Sequence, residues 1–454
     1  MHCFKMIFLQ LLLAASAFPA ALPPETQARA ASRPPNIILI MVDDMGYGGL
    51  SCYDNRYYET PEIDRLAEEG LLLTDYHSNG TVCTPTRAAL MTGRYQHRTG
   101  CYRVCNADPE HEDHRRGLLT NEWTFAEALK EAGYTTAIYG KWHLGYDPKF
   151  NPVHHGFDEY RGFVSGNIDA HSHYDRMETF DWWRGDKRKD DRGYHTDVLT
   201  EHTLDFIERN KERPFFVYLS HGAPHSPHQA RGSEILRGPD KGKVPEWGIG
   251  EPEYTDIPGD KNWLFRHFIL PVDEGVGRIR QRVEELGLAE NTLIWFISDN
   301  GGTTRNWTTS PLTRGSKAKV YEGGHRVPGI VWAPGRIQAD TSDELIVGMD
   351  IMPTCMALAD VQAPAGHHLD GIDVGPALFD GKPLPPRTVF WGWGGEKRAL
   401  REGPWKLVRD ELYNLDDDPR ETTDLAGQYP ERAEAMSEKF HALYNEALGD
   451  SPYD

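Results

Sequence analysis

Short runs of consecutive apolar residues recur along this chain and constrain its fold more than any other feature of the sequence. The runs are Asn36–Val42 (NIILIMV), residues 135–139 (TTAIY), Phe215–Ser220 (FFVYLS), Thr292–Ser298 (TLIWFIS) and residues 329–333 (GIVWA). Runs of this kind, rich in β-branched and aromatic residues, are typical of strands that are buried on both faces, as in a parallel sheet.

Helical patterns alternate with these runs. They occur after Thr60-Pro61, where proline suits a first helical turn, and at residues 121–132, His195–Asn210 and 263–286. The alternation predicts a doubly wound α/β domain, which we place at residues 35–365.

From about Leu400 onward the pattern changes to short strand-like segments and one polar helix. The segments are residues 399–401, Trp405–Val408 and residues 411–415, and the helix is at about residues 430–448. We therefore predict a small antiparallel α+β subdomain over residues 385–454, separated from the first domain by a stretch rich in Pro and Gly.

The first 21 residues are interpreted as a signal peptide. Lys5 supplies a weak positive charge, residues 6–18 are mostly apolar, and Ala15-Ser16-Ala17 offers a cleavage site. The apolar run is too short to span a bilayer, although an N-terminal anchor is the alternative. We predict an exported protein, periplasmic or secreted, without stable membrane insertion.

The cysteine count carries a second constraint. Removal of the signal also removes Cys3 and leaves Cys52, Cys83, Cys101, Cys105 and Cys355. An odd number in an exported protein means that at least one cysteine is unpaired or modified. Cys101 and Cys105 form either a disulfide or two free buried thiols.

The net charge excludes one class of partner. The chain has 49 Lys and Arg against 69 Asp and Glu, a formal charge of -20. We expect no binding to nucleic acid, because no broad basic face is available to neutralise phosphates. An anionic substrate would have to be bound by a local basic pocket.

Polar residues directly follow four of the apolar runs. They are Asp43-Asp44, residues 140–143 (GKWH), His221 with His225, and Asp299-Asn300. Ligands of open α/β sheets bind beyond the carboxyl ends of the strands, so these segments are predicted to converge on one site. The oxygen ligands of the first and last pairs favour Ca²⁺ or Mg²⁺ over zinc. The alternative is that Asp44 or Asn300 caps a helix.

Residues 81–94 (TVCTPTRAALMTGR) contain a Cys-x-Pro-x-Arg core at Cys83 and Arg87. The small and apolar residues after Pro85 predict a helix with Cys83 near its N-terminus, where anions are stabilised. Taken as bare chemistry, Cys83 is either a low-pKa thiolate nucleophile or a packed core thiol.

This segment resembles the signature of the type I sulfatase family, in the alkaline phosphatase superfamily, whose cysteine is oxidised to formylglycine. Further family motifs follow the same order: Asp43-Asp44 with residues 46–48 (GYG), residues 140–145 (GKWHLG), 223–225 (APH), 298–302 (SDNGG), 314–317 (RGSK), 321–324 (YEGG), 411–415 (ELYNL) and 418–419 (DP). The departures at Thr86, Thr313 and Ser316 remove no reacting group. The resemblance implies an alkaline-phosphatase-like, mixed, largely parallel sheet sandwiched by helices.

The resemblance also implies roles for individual residues. The metal ligands would be Asp43, Asp44, Asp299, Asn300 and the modified Cys83, with Ca²⁺ as the ion and Mg²⁺ as the alternative. A formylglycine-generating enzyme would oxidise Cys83, and the hydrated aldehyde, a geminal diol, would attack sulfur to form a sulfoenzyme intermediate. The other catalytic residues would be Arg87, Lys141, His143, His225 and Lys317. Ser165, His171 and His173 are candidates for substrate binding.

The implied activity is hydrolysis of an organic sulfate ester. The substrate would be a sulfated small molecule or glycan, and we favour a carbohydrate because export gives access to glycans and the chain has 12 Trp and 20 Tyr. The alternatives are a phosphate or phosphonate monoester hydrolase of the same superfamily and a non-catalytic glycan-binding protein. Residues 182–192 (WWRGDKRKDDR) form either a lip for a sulfated glycan or a solvated loop.

Overall fold

The computed structural model describes residues 33–54, 58–248, 261–304 and 308–453, with side chains from residue 266 onward in the helix that begins at Lys261. The predicted signal peptide at residues 1–21 lies outside these ranges. The chain from Pro34 onward forms one compact unit. The bounds 35–365 and 385–454 therefore stay a prediction.

The strands are β1 (Asn36–Val42), β2 (Leu71–Leu73), β3 (Tyr76–His77), β4 (Thr135–Lys141), β5 (Glu159–Phe163), β6 (Trp183–Arg184), β7 (Lys187–Arg188), β8 (Phe215–Ser220), β9 (Thr292–Ser298), β10 (Gly329–Trp332), β11 (Asp340–Ser342), β12 (Ile346–Val347), β13 (Thr388–Gly394), β14 (Lys397–Glu402), β15 (Trp405–Val408) and β16 (Glu411–Asn414). The helices are α1 (Pro61–Glu68), α2 (Cys83–Thr92), α3 (Phe125–Glu131), α4 (His195–Asn210), α5 (Lys261–Glu285), α6 (Glu322–His325), α7 (Ile351–Leu358), α8 (Gly375–Asp380) and α9 (Pro430–Gly449).

The main sheet has ten strands in the order β11-β2-β10-β9-β1-β8-β4-β5-β6-β7. Its centre is parallel, because β1 pairs with β8 and β9, and β4 pairs with β8 and β5, in parallel register. Strand β10 is antiparallel to β9 and β2, and β6 is antiparallel to β5 and β7. The predicted mixed, largely parallel sheet is confirmed.

The two faces of this sheet pack against separate helical layers. Ile37 and Leu39 of β1 belong to one apolar core, together with side chains of α2, α3 and α7. Ile38 and Ile40 belong to a second core, with side chains of α1, α4 and α5. Alternate residues of one strand thus face opposite cores, which explains why the strand is apolar at every position after Asn36.

The C-terminal region contains a four-stranded antiparallel sheet in the order β13-β14-β15-β16, and helix α9 packs on it. This confirms the predicted antiparallel element. Helix α3 begins at Phe125 rather than at residue 121, because Thr124 and Glu127 form a capping box there. The described residues include no helix that is long and apolar enough to cross a membrane.

Candidate active site

The predicted polar segments meet at the carboxyl ends of β1, β4, β8 and β9. Asp44 is the second residue after β1, and its backbone N–H donates to Asp299 Oδ1 after β9 at 3.1 Å. Asn300 Nδ2 donates to Asp44 Oδ1 at 2.8 Å. His225, beyond β8, places Nε2 3.7 Å from Asp44 Oδ2. The structure therefore brings together the loops that the sequence predicted to converge.

One glycine allows the close approach of β4 and β8 beside this site. Gly140 has a φ of 113°, and a Cβ atom there would lie 1.9 Å from the carbonyl oxygen of Ser220. Any side chain at this position would push the two strands apart. The residues that follow Gly140, including Lys141 and His143, are thereby held against the end of β8.

The acidic residues of the site fit a divalent cation. Candidate ligand atoms of Asp43, Asp44, Cys83 and His225 all lie within 4.8 Å of one another. Burial, and then the charge of Asp299, raise the pKa of Asp43 to about 7. Asn300 Oδ1 is buried and has no hydrogen-bond partner among the described residues. Crowded carboxylates beside an unpartnered amide oxygen are the ligand set that a hard cation prefers.

Cys83 is the first residue of α2 and is buried at the centre of the site. Its Sγ lies 3.4 Å from Asp43 Oδ1 and 3.5 Å from Lys317 Nζ. Burial, and then the charge of Asp43, raise the pKa of the thiol to about 12. Since the thiolate is the reactive form of cysteine, an unmodified Cys83 would be a weak nucleophile at neutral pH.

Each carboxylate of the site is paired with one cation. Lys141 Nζ lies 2.5 Å from Asp43 Oδ2, Lys317 Nζ lies 2.5 Å from Asp44 Oδ1, and Arg87 Nη2 lies 2.8 Å from Asp299 Oδ2. Arg87 and Lys141 are fully enclosed, whereas the Lys317 side chain is 20% exposed. An entering anion would therefore meet Lys317 directly.

A cavity of about 380 Å³ opens over these groups, and Cys83, His143, Ser165, His225 and Lys317 line it. This volume lies within the ~300–1,000 Å³ range of small-molecule pockets. Burial lowers the pKa of His225 to about 3, and burial followed by the charge of Lys141 lowers that of His143 well below its usual value. Both imidazoles are therefore neutral in the substrate-free protein and can accept a proton.

Two residues that the sequence predicted to bind substrate, His171 and His173, lie outside the cavity. His171 is buried, with Nε2 3.2 Å from the carbonyl oxygen of Ala230, and it accepts a hydrogen bond from Trp247 Nε1 at 3.1 Å. His173 stacks on Trp182 at a centroid distance of 4.1 Å. Neither histidine lines the cavity.

The segment 182–192 and the cysteines Cys101 and Cys105 also have definite positions. The segment forms the β6–β7 hairpin at one edge of the main sheet, and none of its residues lines the cavity. Cys101 and Cys105 are free thiols. The sequence analysis missed Asn106, Asn167 and Arg176, which do line the cavity. They lie on irregular loops, where no periodic pattern marks them.

The chain is similar to known proteins over most of its length. The family model described as Sulfatase matches residues 35–361. N-acetylgalactosamine-6-sulfatase of Canis lupus familiaris is 34% identical over 401 residues, which cover 84% of this chain and 72% of that protein. Arylsulfatase G of Homo sapiens is 31% identical over 459 residues, which cover 90% of this chain and 81% of that protein.

A solved structure extends the likeness to three dimensions. The crystal structure of Ps i-CgsB in complex with k-i-k-neocarrahexaose has a TM-score of 0.79 and 27% identity, and the match covers 91% of this chain and 93% of that chain. The family model thus covers most of the chain. The chain belongs to the sulfatase family and is a sulfuric ester hydrolase.

Proposed function

We propose that this sulfatase removes sulfate from a sulfated carbohydrate, using a formylglycine made from Cys83. The observation that carries the proposal is the position of Cys83 Sγ at the cavity, within 3.5 Å of both Asp43 and Lys317. The substrate class is supported by a relative named for an N-acetylgalactosamine sulfate and by a similar protein that holds neocarrahexaose.

Asp43, Asp44, Asp299 and Asn300 would hold a calcium ion, with magnesium as the alternative. When bound, the ion would supply positive charge that offsets the repulsion between a nucleophile and the sulfate monoanion. Formylglycine at position 83 would supply, as its hydrate, an oxygen nucleophile in place of the weakly reactive thiol.

The remaining residues would bind the anion and move protons. Lys317 and Lys141 would bind the sulfate oxygens as negative charge shifts toward them. Asp299, held by Arg87, would accept the proton of the attacking hydroxyl. His143 would accept the proton of the second hydroxyl group of the hydrate. Its Nδ1 atom, which would take this proton, is buried and has no hydrogen-bond partner among the described residues.

His225 would protonate the departing alcohol, with help from Lys317. Its low pKa in the substrate-free protein does not oppose this role, because a bound sulfate places a negative charge beside the ring and raises the pKa. Burial alone would lower the pKa of Lys317, but Asp44 and Cys83 raise it well above its usual value, so this side chain stays charged.

We also propose that the chain is exported and that a formylglycine-generating enzyme modifies Cys83. The test is mass spectrometry of the peptide that carries residue 83, from protein co-expressed with the modifying enzyme. An aldehyde is expected at position 83, while Cys105, which lines the same cavity, remains a thiol as an internal control. Fully active protein with an unmodified Cys83 would contradict the proposal.

The substrate class requires a separate measurement. Matched aryl sulfate and aryl phosphate esters should separate sulfatase activity from phosphatase activity, with the sulfate hydrolysed faster. A panel of sulfated mono- and oligosaccharides should then contain a substrate with a higher kcat/KM than the aryl sulfate. If no sugar exceeds the aryl ester, the carbohydrate assignment is wrong.

A further inference from the structure

Arg176 stands out among the charged residues that line the cavity. Lys317 is paired with Asp44, and Asp113 lies 3.3 Å from the guanidinium of Arg116. Arg176 is exposed and has no carboxylate partner within residues 33–54, 58–248, 266–304 and 308–453. The cavity thus carries one positive charge, apart from the sulfate site, that the described residues leave uncompensated.

The Arg176 side chain is held in place rather than free to sweep through solvent. It follows Asp175, whose Oδ1 accepts hydrogen bonds from the backbone of Met177 and Thr179, both at 2.9 Å. Arg176 Nη2 donates a short hydrogen bond to Asn106 Oδ1 across the cavity wall. A guanidinium has five N–H donors, so most of them are available to a ligand.

A second arginine lies beside this position. Arg237 Nη1 donates to Asn167 Oδ1 at 2.7 Å, and Asn167 lines the cavity. Burial lowers the pKa of Arg237, the charges of Asp169, Asp175 and Glu178 raise it, and the charge of Arg176 lowers it again. Arg237 thus adds positive charge at this side of the cavity, which the three carboxylates partly offset.

The acidic residues near these arginines are occupied by other donors. Asp169 Oδ2 accepts hydrogen bonds from the backbone of Leu236 at 2.6 Å and from Gln229 Nε2 at 3.0 Å. Glu178 Oε2 accepts one from the backbone of Gly238 at 2.7 Å. These carboxylates reduce the local positive potential, but they do not form an ion pair with Arg176.

We propose that Arg176, supported by Arg237 and Asn167, forms a subsite for a second anionic group on the sugar substrate. Guanidinium binds carboxylate and sulfate groups through paired hydrogen bonds, and in a protein of net charge -20 such recognition has to be local. The inference rests on the proposed carbohydrate sulfatase function. The second anion is either another sulfate or the carboxylate of a uronic acid.

The test compares substrates that differ by one charge. They are a monosulfated sugar, the same sugar with a second sulfate, the same sugar linked to a uronic acid, and an aryl sulfate that carries no second charged group. Wild-type protein should prefer one of the doubly charged sugars, and its identity separates sulfate from carboxylate. R176Q should raise KM for that sugar about tenfold, the effect of one lost charge-assisted hydrogen bond, with kcat unchanged.

The controls separate this role from a structural one. R176Q should leave the monosulfated sugar and the aryl sulfate unaffected, and R176K should restore part of the preference. R336Q removes an exposed arginine that does not line the cavity, and it should change nothing. An equal KM increase on every substrate, or a wild-type protein indifferent to the second charge, would overturn the subsite.

The proposed function can fail separately. If the aryl sulfate is hydrolysed and none of the sugars is, the carbohydrate assignment is wrong and the subsite is rejected with it. If the sugars are hydrolysed but R176Q behaves like wild type on all of them, the carbohydrate assignment stands and only the subsite is rejected.

Discussion

Within the described part of the chain, two clusters have the side chains of a metal site, and they differ in whether they line the cavity of the active site. The active-site cluster comprises Asp43, Asp44, Cys83 and His225, and a second group comprises His77, Glu322 and His325. In the second group Lys406 Nζ lies 2.7 Å from Glu322 Oε1 and 3.0 Å from His325 Nε2. We call His77, Glu322, His325 and Lys406 the interface cluster, because it joins β3 and α6 to the C-terminal sheet.

The difference between the clusters lies in what satisfies their charges. The four side chains of the interface cluster are fully enclosed, and Trp391 stacks on His325 at a centroid distance of 4.0 Å. Lys406 occupies the position where a cation would otherwise bind. In the active-site cluster, by contrast, Cys83 and His225 line the cavity, together with the neighbouring Lys317. Buried charge therefore indicates a reactive site only where the network is left open to a ligand.

Removal of Lys406 is the strongest test of this difference between the two clusters. Lys406→Met removes the cation whose Nζ lies 2.7 and 2.8 Å from the Oε1 atoms of the buried Glu322 and Glu421, and it leaves Glu322 with only the more distant Arg326, 3.5 Å away. We expect the free energy of unfolding to fall by about 3–5 kcal/mol, as for other broken buried ion pairs. Chemical denaturation measures the loss, and kcat/KM of the folded protein should not change.

A matched control lies in the same region of the molecule. Lys439 on α9 pairs with Glu402 at the surface, with both side chains more than 40% exposed. Lys439→Met should cost less than about 1 kcal/mol, because exposed ion pairs contribute little. If Lys406→Met instead lowered kcat/KM and left stability intact, the interface cluster would have to be treated as part of the active site.

The corresponding substitution at the active site is Lys317→Met, beside the active-site cluster. Because Lys317 would contact the sulfate as charge develops, kcat/KM should fall roughly 10²–10³-fold. The free energy of unfolding should fall by less than in Lys406→Met, because the Lys317 side chain is 20% exposed. Steady-state hydrolysis of an aryl sulfate and thermal unfolding measure the two quantities. Lys319→Met, two residues away and exposed outside the cavity, should leave both unchanged. A loss of stability in Lys317→Met as large as that in Lys406→Met would remove the contrast between the clusters.

The sequence predicted one cluster well and the other poorly. Polar pairs such as Asp299-Asn300 follow long apolar strands, and parallel strands bring their carboxyl ends to one edge, so convergence was predictable. Glu322 belongs to the same motif region as Lys317, yet its partner Lys406 lies 84 residues further along the chain. Nothing in the pattern of Trp405–Val408 indicates that this lysine is fully buried.

The short strands and the cavity walls were missed for a related reason. Strands β6 and β7 have two residues each, too few for a period of two to be recognised. Arg176 and Asn106 reach the cavity from separate irregular loops, and their contact depends on tertiary packing. The convergence of the segments around Cys83 was therefore predictable from the sequence, whereas the loops that form the rest of the cavity wall were not.

A smaller effect is expected from Asn300→Ala. The change removes the unpartnered amide oxygen beside the active-site cluster and leaves Asp43, Asp44 and Asp299 in place. Calcium affinity of the chelator-treated protein should fall roughly tenfold, the cost of one lost polar contact to a charged group, as measured by calorimetric titration. Asn210→Ala, at a buried asparagine in α4, should leave the affinity unchanged. Equal calcium affinity in the Asn300→Ala and wild-type proteins would exclude this oxygen as a ligand.

The smallest expected effect is the response of the interface cluster to pH, measured as a change in the free energy of unfolding. Burial, and then the charge of Lys406, hold the pKa of His325 well below 6.5, so the folded ring stays neutral while the unfolded ring binds a proton. The free energy of unfolding should therefore fall as pH drops below about 6.5, by up to about 1.4 kcal/mol per pH unit for each such histidine. His325→Gln should reduce this dependence of the free energy of unfolding on pH by the contribution of one histidine. The reduction is expected whatever effect the substitution has on stability at pH 8. His441→Gln, on the exposed face of α9, should leave the slope unchanged. A slope that is the same in His325→Gln and wild type would mean that His325 takes up its proton in the folded protein, and the interface cluster would then not be sealed.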